Sequence, residues 1–204
     1  MASTASDRAD STRDRVVAAA RDEFARHGIA GARVDRIAKA ARTSKERVYA
    51  YFRSKEKLYE HVAAAELAAA AGAVHLDPAD LPAYAGQLFD YFTANPDRYR
   101  FVAWGRLELA AAPDGDRGPY RDAILTKIEN IRRAQEAGDL DPGWDPVDVM
   151  AVVSQIAHTW LDQAEMAAVA RRAAADTDPA ARRAAVIRAV GAIFPPARRT
   201  GSGH

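Results

Sequence analysis

Cysteine is absent from this chain of 204 residues, which excludes disulfide bonds and metal sites built from thiolates. Glycine and proline are few, at 12 and 10 residues, and they stand in clusters between alanine-rich stretches, so helix is favoured nearly throughout. No apolar run approaches the roughly 20 residues that cross a bilayer, and the first thirty residues show no secretory signal pattern. These absences predict an all-helical, cytoplasmic protein without a membrane segment.

The formal net charge of +1 conceals an asymmetry along the chain. Residues 1–60 carry 14 basic and 9 acidic side chains, whereas residues 61–204 carry 15 and 19. Residues 33–57 alone carry 9 basic and 3 acidic side chains. A basic N-terminal module on an acidic remainder indicates a polyanionic partner for the first part of the chain. The alternative is a solvated face that happens to be basic.

Capping residues and apolar spacing predict nine helices, with Ser11 and Asp14 forming a capping box at the start of the first and Gly28 ending it. Asp80 is expected to cap the fifth helix, and Pro96 to begin the sixth. The predicted helices cover approximately residues 11–28, 34–41, 44–52, 54–72, 80–95, 96–112, 120–137, 146–173 and 179–194.

The second and third predicted helices are separated by the tight turn "RTS", which is the layout of a helix-turn-helix. The third helix would be anchored by Val48 and Phe52 while it projects long polar side chains. A short helix of this kind fits the major groove of double-stranded DNA.

We expect Lys45 and Arg47 to contact bases, and Thr43, Tyr49, Tyr51 and Lys55 to contact the sugar–phosphate backbone. Ser54 and Lys55, at the N-terminus of the next helix, would form a phosphate clamp. The alternative for Tyr49 and Tyr51 is partial burial in the core.

The stretch "RVDRIAKAARTSKERVYAYFRSKEKLYEHV" resembles the DNA-binding segment of TetR-family transcriptional regulators. The shared residues are Ile37-Ala38, Ser44, Tyr49-Ala50-Tyr51-Phe52 and Ser54-Lys55-Glu56-Lys57-Leu58. The resemblance covers about residues 11–62. It implies a homodimeric, all-helical repressor that binds a palindromic operator and whose larger C-terminal domain binds a small-molecule effector of unknown identity.

The chain departs from the family pattern at three places. Arg42 stands where the turn commonly has glycine, Arg33 stands where threonine or serine commonly caps the second helix, and Glu46-Arg47 replaces a frequent Gly-Thr. The extra arginines indicate an operator preference of the chain's own. The predicted DNA-binding set is Arg33, Arg42, Thr43, Ser44, Lys45, Arg47, Tyr49, Tyr51 and Lys55.

The local patterns and the resemblance together predict a domain order. Residues 1–10 are small, polar and without periodicity and would be a disordered arm, and residues 196–204 would be a flexible tail. Between them, residues 11–54 would be the helix-turn-helix domain and residues 55–195 the effector-binding and dimerisation domain. An apolar pocket with a few polar groups is expected among the fifth to eighth helices. Its candidate residues, for each of which core packing is the alternative, are Phe89, Phe92, Tyr99, Phe101, Trp104, Glu108, Asn130, Gln155 and His158.

The last two predicted helices carry apolar residues on more than one side, which is typical of a helix that packs on two sides. They are therefore predicted to form the homodimer interface, and the alternative is that both lie in the core of one monomer. The interface candidates are Val149, Val153, Ile156, Trp160, Val186, Val190 and Ile193.

Catalytic motifs are absent: the sequence has no glycine-rich phosphate loop, no HExxH and no serine nucleophile elbow. Its five histidines show no metal-ligand spacing. We therefore predict no enzyme activity, no cofactor and no metal. Two other functions remain open: a non-catalytic helical protein that binds a protein partner, and an activator or ligand-independent regulator of the same fold.

Overall fold

The computed structural model describes residues 3–109 and 118–195, and within these ranges it is all-helical, as predicted. The α-helices are α1 Ser3–Gly31, α2 Val34–Ala40, α3 Lys45–Phe52, α4 Lys55–Ala73, α5 Leu81–Ala94, α6 Pro96–Leu109, α7 Gly118–Glu136, α8 Pro146–Asp162, α9 Ala164–Ala173 and α10 Pro179–Ile193. A 3₁₀ turn, Pro78–Asp80, precedes α5. The tail predicted for residues 196–204 lies outside the described residues.

Helix α1 begins at Ser3, which is earlier than the predicted start near Ser11. Residues 3–10 contain neither glycine nor proline, so nothing in them stops the helix from extending backwards. Ser11 therefore lies inside α1, and the arm predicted to be disordered is helical from Ser3.

The long helix predicted for residues 146–173 is two helices, α8 and α9, separated at Gln163. The backbone of Gln163 leaves the helical region at φ −113° and ψ 69°. No glycine or proline marks this position, so the break has no signal of the kind that ends a helix in sequence.

The chain forms two compact units. Unit 1 comprises residues 1–69 and 95–120, and unit 2 comprises residues 70–94 and 121–204. Helix α6 falls in unit 1 because it packs along α1, although the predicted domain order assigned residues 96–109 to the effector domain. The division predicted from the sequence at residue 54 stays a prediction.

Three aromatic rings join α1, α4 and α6 in the core of unit 1. The ring of Tyr59 stacks on Phe101 at 4.8 Å between centroids, and Phe24 meets Tyr59 edge-on at 5.3 Å. The hydroxyl of Tyr59 lies against the backbone of Gly105, where any Cβ would overlap it. A glycine at this position therefore lets α4 and α6 approach closely.

Helix α1 is interrupted at Gly28, whose φ of 69° and ψ of −178° occupy a region that only glycine adopts readily. Two side chains of α6 bind the chain on either side of the break. The Glu108 carboxylate accepts hydrogen bonds from the N–H groups of Ile29 and Ala30 at 3.1 and 2.8 Å, and Trp104 Nε1 donates to the carbonyl of Ala25 at 3.2 Å. The predicted end of the first helix at Gly28 is thus confirmed as a break, after which one more turn follows.

The buried carboxylate of Glu23 fixes the start of α2. It accepts a hydrogen bond from the Arg33 backbone N–H at 2.9 Å and another from Arg36 Nε at 2.7 Å. Burial by itself raises the pKa of Glu23, but the bonds from Arg36 and Arg33 outweigh it and leave the pKa below its ordinary value. Arg33 offers no capping side chain, so this carboxylate from α1 supplies a bond that a capping box usually makes within the helix.

Unit 2 is built around α5, which packs against α8 and α10. Its core contains Leu81, Tyr84 and Leu88 from α5. The predicted cap of α5 is confirmed, because Asp80 Oδ1 accepts the N–H of Ala83 at 2.9 Å. Pro96 begins α6, also as predicted, although that helix belongs to unit 1.

The break in α1 makes a prediction about Gly28→Ala. The new Cβ would overlap Glu108 and would force alanine into backbone torsions reserved for glycine, so we expect a loss of about 1–3 kcal/mol or more in the free energy of unfolding. Urea denaturation measures it. Gly72→Ala is the matched control, because no atom lies within 4 Å of its added Cβ, and it should be neutral or slightly stabilising. Equal free energies of unfolding for the two variants would show that the backbone conformation at Gly28 does not require glycine.

Glu23→Gln should lower the free energy of unfolding by about 1–3 kcal/mol at neutral pH, because the charge-assisted bonds to α2 are weakened. The folded-state pKa is depressed, so the stabilisation is complete above the ordinary value of 4.5 and is lost as the pH falls through the lower folded value. Denaturation of both proteins between neutral pH and pH 3 measures this, and the two stabilities should converge on the acid side. A difference that stays constant with pH would exclude the ionised carboxylate as its cause.

Candidate nucleic-acid interface

The turn between α2 and α3 is closed by backbone hydrogen bonds and by a serine cap. Thr43 N–H donates to the carbonyl of Ala38 at 2.9 Å, and Ser44 Oγ accepts from Arg47 N–H at 3.2 Å. Ser44 therefore caps the N-terminus of α3, as predicted. Arg42 has a φ of 54°, the left-handed conformation that its position in the turn requires, at a cost of about 1–2 kcal/mol for a residue other than glycine.

Helix α3 has a buried side and an exposed side. Val48 and Phe52 are buried and hold it on unit 1, as predicted. The guanidinium of Arg13 lies 5.7 Å from the centre of the Phe52 ring, and His61 lies on the same ring at 5.2 Å. Burial, and secondarily the Arg13 charge, lower the pKa of His61, so this cluster around Phe52 favours a neutral imidazole.

The exposed side of α3 presents Lys45, Glu46 and Arg47 in its first turn, followed by Tyr49. Lys45 Nζ forms an ion pair with Asp35 of α2 at 3.0 Å, and this partner raises the pKa of Lys45. Hydrogen bonds from its own backbone N–H and from Ser44 lower the pKa of Glu46. The predicted base-contacting lysine is thus positioned by the carboxylate of Asp35, which is not among the predicted DNA-binding residues.

The two tyrosines of α3 differ in exposure. Tyr49 is 39% exposed, whereas Tyr51 is half-buried and packs against the core of unit 1. The sequence left partial burial open as the alternative for both tyrosines. That alternative describes Tyr51 better than Tyr49.

Lys55, a member of the predicted phosphate clamp, is half-buried and makes contacts within the protein. Its Nζ donates to the carbonyls of Ala30 and Ala32 at 3.2 and 3.4 Å, which ties α4 to the connection between α1 and α2. Ser54 does cap α4, since its Oγ accepts from Lys57 N–H at 3.1 Å. Ser54 thus begins α4 and Lys55 holds the chain that enters α2, and the phosphate clamp formed by this pair stays a prediction.

An open groove of about 510 Å³ runs between the start of α2, the outer side of α3 and the start of α4. It brings together four members of the predicted DNA-binding set with several neighbours. Its lining residues are Ala32, Arg33, Val34, Asp35, Lys45, Tyr49, Arg53, Ser54, Lys55 and Glu56. Because most of its charged groups are cations, the groove suits a phosphodiester backbone better than a neutral ligand.

Arg53 was missed from the sequence. It has a φ of 62° and a ψ of −40°, and the carbonyl of Phe52 accepts the N–H of Ser54 across it at 2.7 Å. This is a γ-turn with positive φ, which is rare and costs about 1–3 kcal/mol for a residue with a side chain. Arginine does not favour positive φ, so its presence between Phe52, which ends α3, and the capping residue Ser54 does not predict such a turn from the sequence.

The predicted effector residues divide between the two units. In unit 1, Phe101 is buried in the aromatic core, and Trp104 and Glu108 bind the backbone of α1, so these three have structural roles. Tyr99 is buried and accepts a hydrogen bond from Arg106 Nη2 at 3.1 Å.

In unit 2, Phe92 and His158 are buried and meet edge-on at 5.1 Å between ring centroids. Gln155 is exposed and donates to Asp162 on its own helix at 3.2 Å. Phe89 is buried on α5, and Asn130 is half-buried on α7.

Four predicted interface residues, Val149, Val153, Val186 and Val190, are buried inside unit 2. They pack between α5, α8 and α10, so the alternative of a monomer core is correct for them. Ile156 and Trp160 are half-buried, and Ile193 is 37% exposed. Of the seven predicted interface residues, these three keep apolar surface that a second copy can contact.

No helix in the described ranges is long and apolar enough to cross a membrane. The described residues also hold no cluster of three or more histidine, cysteine or acidic side chains that is placed to bind a metal ion.

Two protein-family models match the chain. Residues 16–62 match the model of bacterial regulatory proteins of the tetR family, and residues 80–191 match the tetracyclin repressor-like C-terminal domain. The first match contains α2, α3 and the groove residues. The predicted helix-turn-helix and the resemblance are both confirmed.

Similar proteins agree with this assignment. The HTH-type transcriptional repressor SCO4008 of Streptomyces coelicolor is 33% identical over 149 residues, which are 73% of this chain and 78% of that protein. The HTH-type transcriptional repressor NicS of Pseudomonas putida is 34% identical over 107 residues, which are 48% of this chain and 50% of that protein.

SCO4942 of Streptomyces coelicolor, a protein assigned as a transcriptional regulator, has a crystal structure that superimposes on this chain with a TM-score of 0.80. The two sequences are 61% identical, and the match covers 90% of this chain and 98% of that one. Together these comparisons agree with the helix-turn-helix in unit 1. The chain belongs to the TetR family of transcriptional regulators.

Proposed function

We propose that the protein is a cytoplasmic, ligand-responsive repressor that binds a palindromic DNA operator as a homodimer. The observation that carries this proposal is the arrangement of α3. Val48 and Phe52 fix its buried side, and Lys45, Arg47 and Tyr49 stand on its exposed side beside a cationic groove.

Arg47 is the strongest candidate for base recognition. It is exposed in the first turn of α3, and the N-terminal residues of a recognition helix are those that reach base edges. A guanidinium can donate two hydrogen bonds to guanine O6 and N7. Arg33, Arg42 and Thr43, at the ends of α2, are better placed for the backbone that flanks the groove.

The homodimer is supported by apolar surface on unit 2. Ile193 of α10 is 37% exposed, and on α9 Met166 and Val169 are 53% and 54% exposed one helical turn apart. Two copies of α3 in successive major grooves would stand roughly 34 Å apart, so an inverted repeat is the expected operator.

Repression and ligand response are supported by the relatives and by the connectivity of the chain. Both curated relatives described above are named repressors. Between units 1 and 2 the chain passes at residues 69/70, 94/95 and 120/121, so a change in unit 2 reaches α4 and α6 directly through the backbone. An effector shifts operator affinity only by its differential affinity for the two conformations.

The ligand response is tested by compounds that raise the melting temperature of the protein. At least one of them should release the operator while binding of unrelated DNA changes less. If every such compound left the operator complex intact, the protein would be a ligand-independent regulator.

Selection of bound sequences from a random pool of double-stranded DNA tests operator recognition, and we expect an enriched inverted repeat. Arg47→Ala should then weaken operator binding by about 1–3 kcal/mol and relax preference at one or two base positions. Arg133→Gln, at an exposed position of α7, is the control and should change neither quantity. If no sequence is enriched, the protein does not recognise an operator.

Two substitutions separate the dimer interface from the monomer core. Ile193→Arg, at an exposed position, should give folded monomers with weakened operator binding, because one half-site contact is lost. Val153→Arg, at a position that is 1% exposed, should lose helical structure instead. Light scattering and circular dichroism on both variants measure these outcomes. A dimeric Ile193→Arg variant would place the interface elsewhere.

A further inference from the structure

The turn that joins α3 to α4 is formed by one strained residue. Arg53 N–H donates to the carbonyl of Tyr49 at 2.8 Å, which is the last hydrogen bond of α3. The next N–H, that of Ser54, donates to the carbonyl of Phe52 and forms the γ-turn. Only Arg53 separates the last α3 residue from the cap of α4. Positive φ at this position favours glycine, but the chain has arginine there.

Packing on both sides makes the tight turn necessary. Phe52 before the turn and Leu58 after it are both buried in the same core. The chain must therefore reverse within one or two residues whatever side chain stands at position 53. Packing explains the backbone conformation, but it does not explain an arginine, since glycine would adopt the same conformation without strain.

The Arg53 side chain is exposed and lines the cationic groove. Two other cations of this groove are already bound within the protein, since Lys45 is paired with Asp35 and Lys55 with the carbonyls of Ala30 and Ala32. Within the described part of the chain, no carboxylate lies within 4 Å of the Arg53 guanidinium. Its charge is therefore available to an external anion.

We propose that Arg53 contacts a backbone phosphate of the bound DNA, and that the strained turn is retained because it carries this guanidinium at the edge of the groove. The proposal rests on the proposed DNA-binding function. Arg53 follows the C-terminal end of α3, whereas base edges are read from the N-terminal end of a recognition helix. A contact from this end supplies affinity for any sequence and little discrimination between sequences.

Replacement of Arg53 by glycine should have opposite effects on folding and on binding. Arg53→Gly removes strain, so the melting temperature should rise by roughly 2–4 °C. It also removes a phosphate contact, so binding to the selected operator and to an unrelated duplex should weaken by a similar factor, on the order of 3–10. The slope of log affinity against log salt should fall by about one.

Arg53→Lys keeps a cation and keeps the strained backbone, so its melting temperature and its affinity should stay near those of the unchanged protein. Arg133→Gln, which removes one exposed charge of unit 2, should change neither measurement. Calorimetry gives the melting temperatures, and fluorescence anisotropy at several salt concentrations gives the affinities on both duplexes.

Unchanged affinity of Arg53→Gly on both duplexes would overturn the proposal, and so would a lower melting temperature for this variant. A loss on the operator alone would also overturn it, because that result would make Arg53 a base-reading residue. The proposed function fails separately, since it requires the unchanged protein to prefer the operator over the unrelated duplex.

Discussion

Unit 1 depends on the break of α1 at Gly28 and on the side chains that hold the chain beyond it. Glu108 and Trp104 of α6 bind the backbone on either side of Gly28. Lys55 of α4 then holds the carbonyls of the chain that leads into α2. Hydrogen bonds from α4 and α6 therefore fix the path of this short connection. The Glu23 carboxylate of α1 fixes the start of α2, and α2 in turn places α3.

The same connection explains how the chain tolerates Arg33 at a position that usually holds a capping side chain. The carboxylate of Glu23, on α1, accepts hydrogen bonds from the Arg33 backbone N–H and from Arg36 Nε. Glu23 therefore anchors the start of α2 from another helix, although the Arg33 side chain makes no cap, and Arg33 presents a cation at the edge of the groove. A residue ten positions earlier in the sequence thus holds the backbone where the family pattern has a capping side chain.

Local signals were sufficient where the physics is local. Ser44, Ser54 and Asp80 cap helices because a side-chain oxygen reaches a backbone N–H two or three residues away, whatever the rest of the chain does. Local signals failed where the surroundings of a residue depend on parts of the chain that are distant in sequence. Val153 and Val190 looked like interface residues because their helices are apolar on two sides, but α5 covers one of those sides within the same chain. Gln163 shows no sequence feature that would break a helix.

The helical class, most helix ends and the motif of α2 and α3 follow from the sequence alone, because caps, apolar periodicity and the spacing of the recognition residues are properties of short segments. The partners of each charged group within the protein depend on the tertiary structure. Lys45 and Lys55 are both predicted DNA contacts, and folding brings Lys45 to Asp35 and Lys55 to two carbonyls that lie far from it in the sequence. Arg53 is prominent only because its backbone is strained, and backbone strain arises when buried residues on both sides, here Phe52 and Leu58, leave the chain between them no other path.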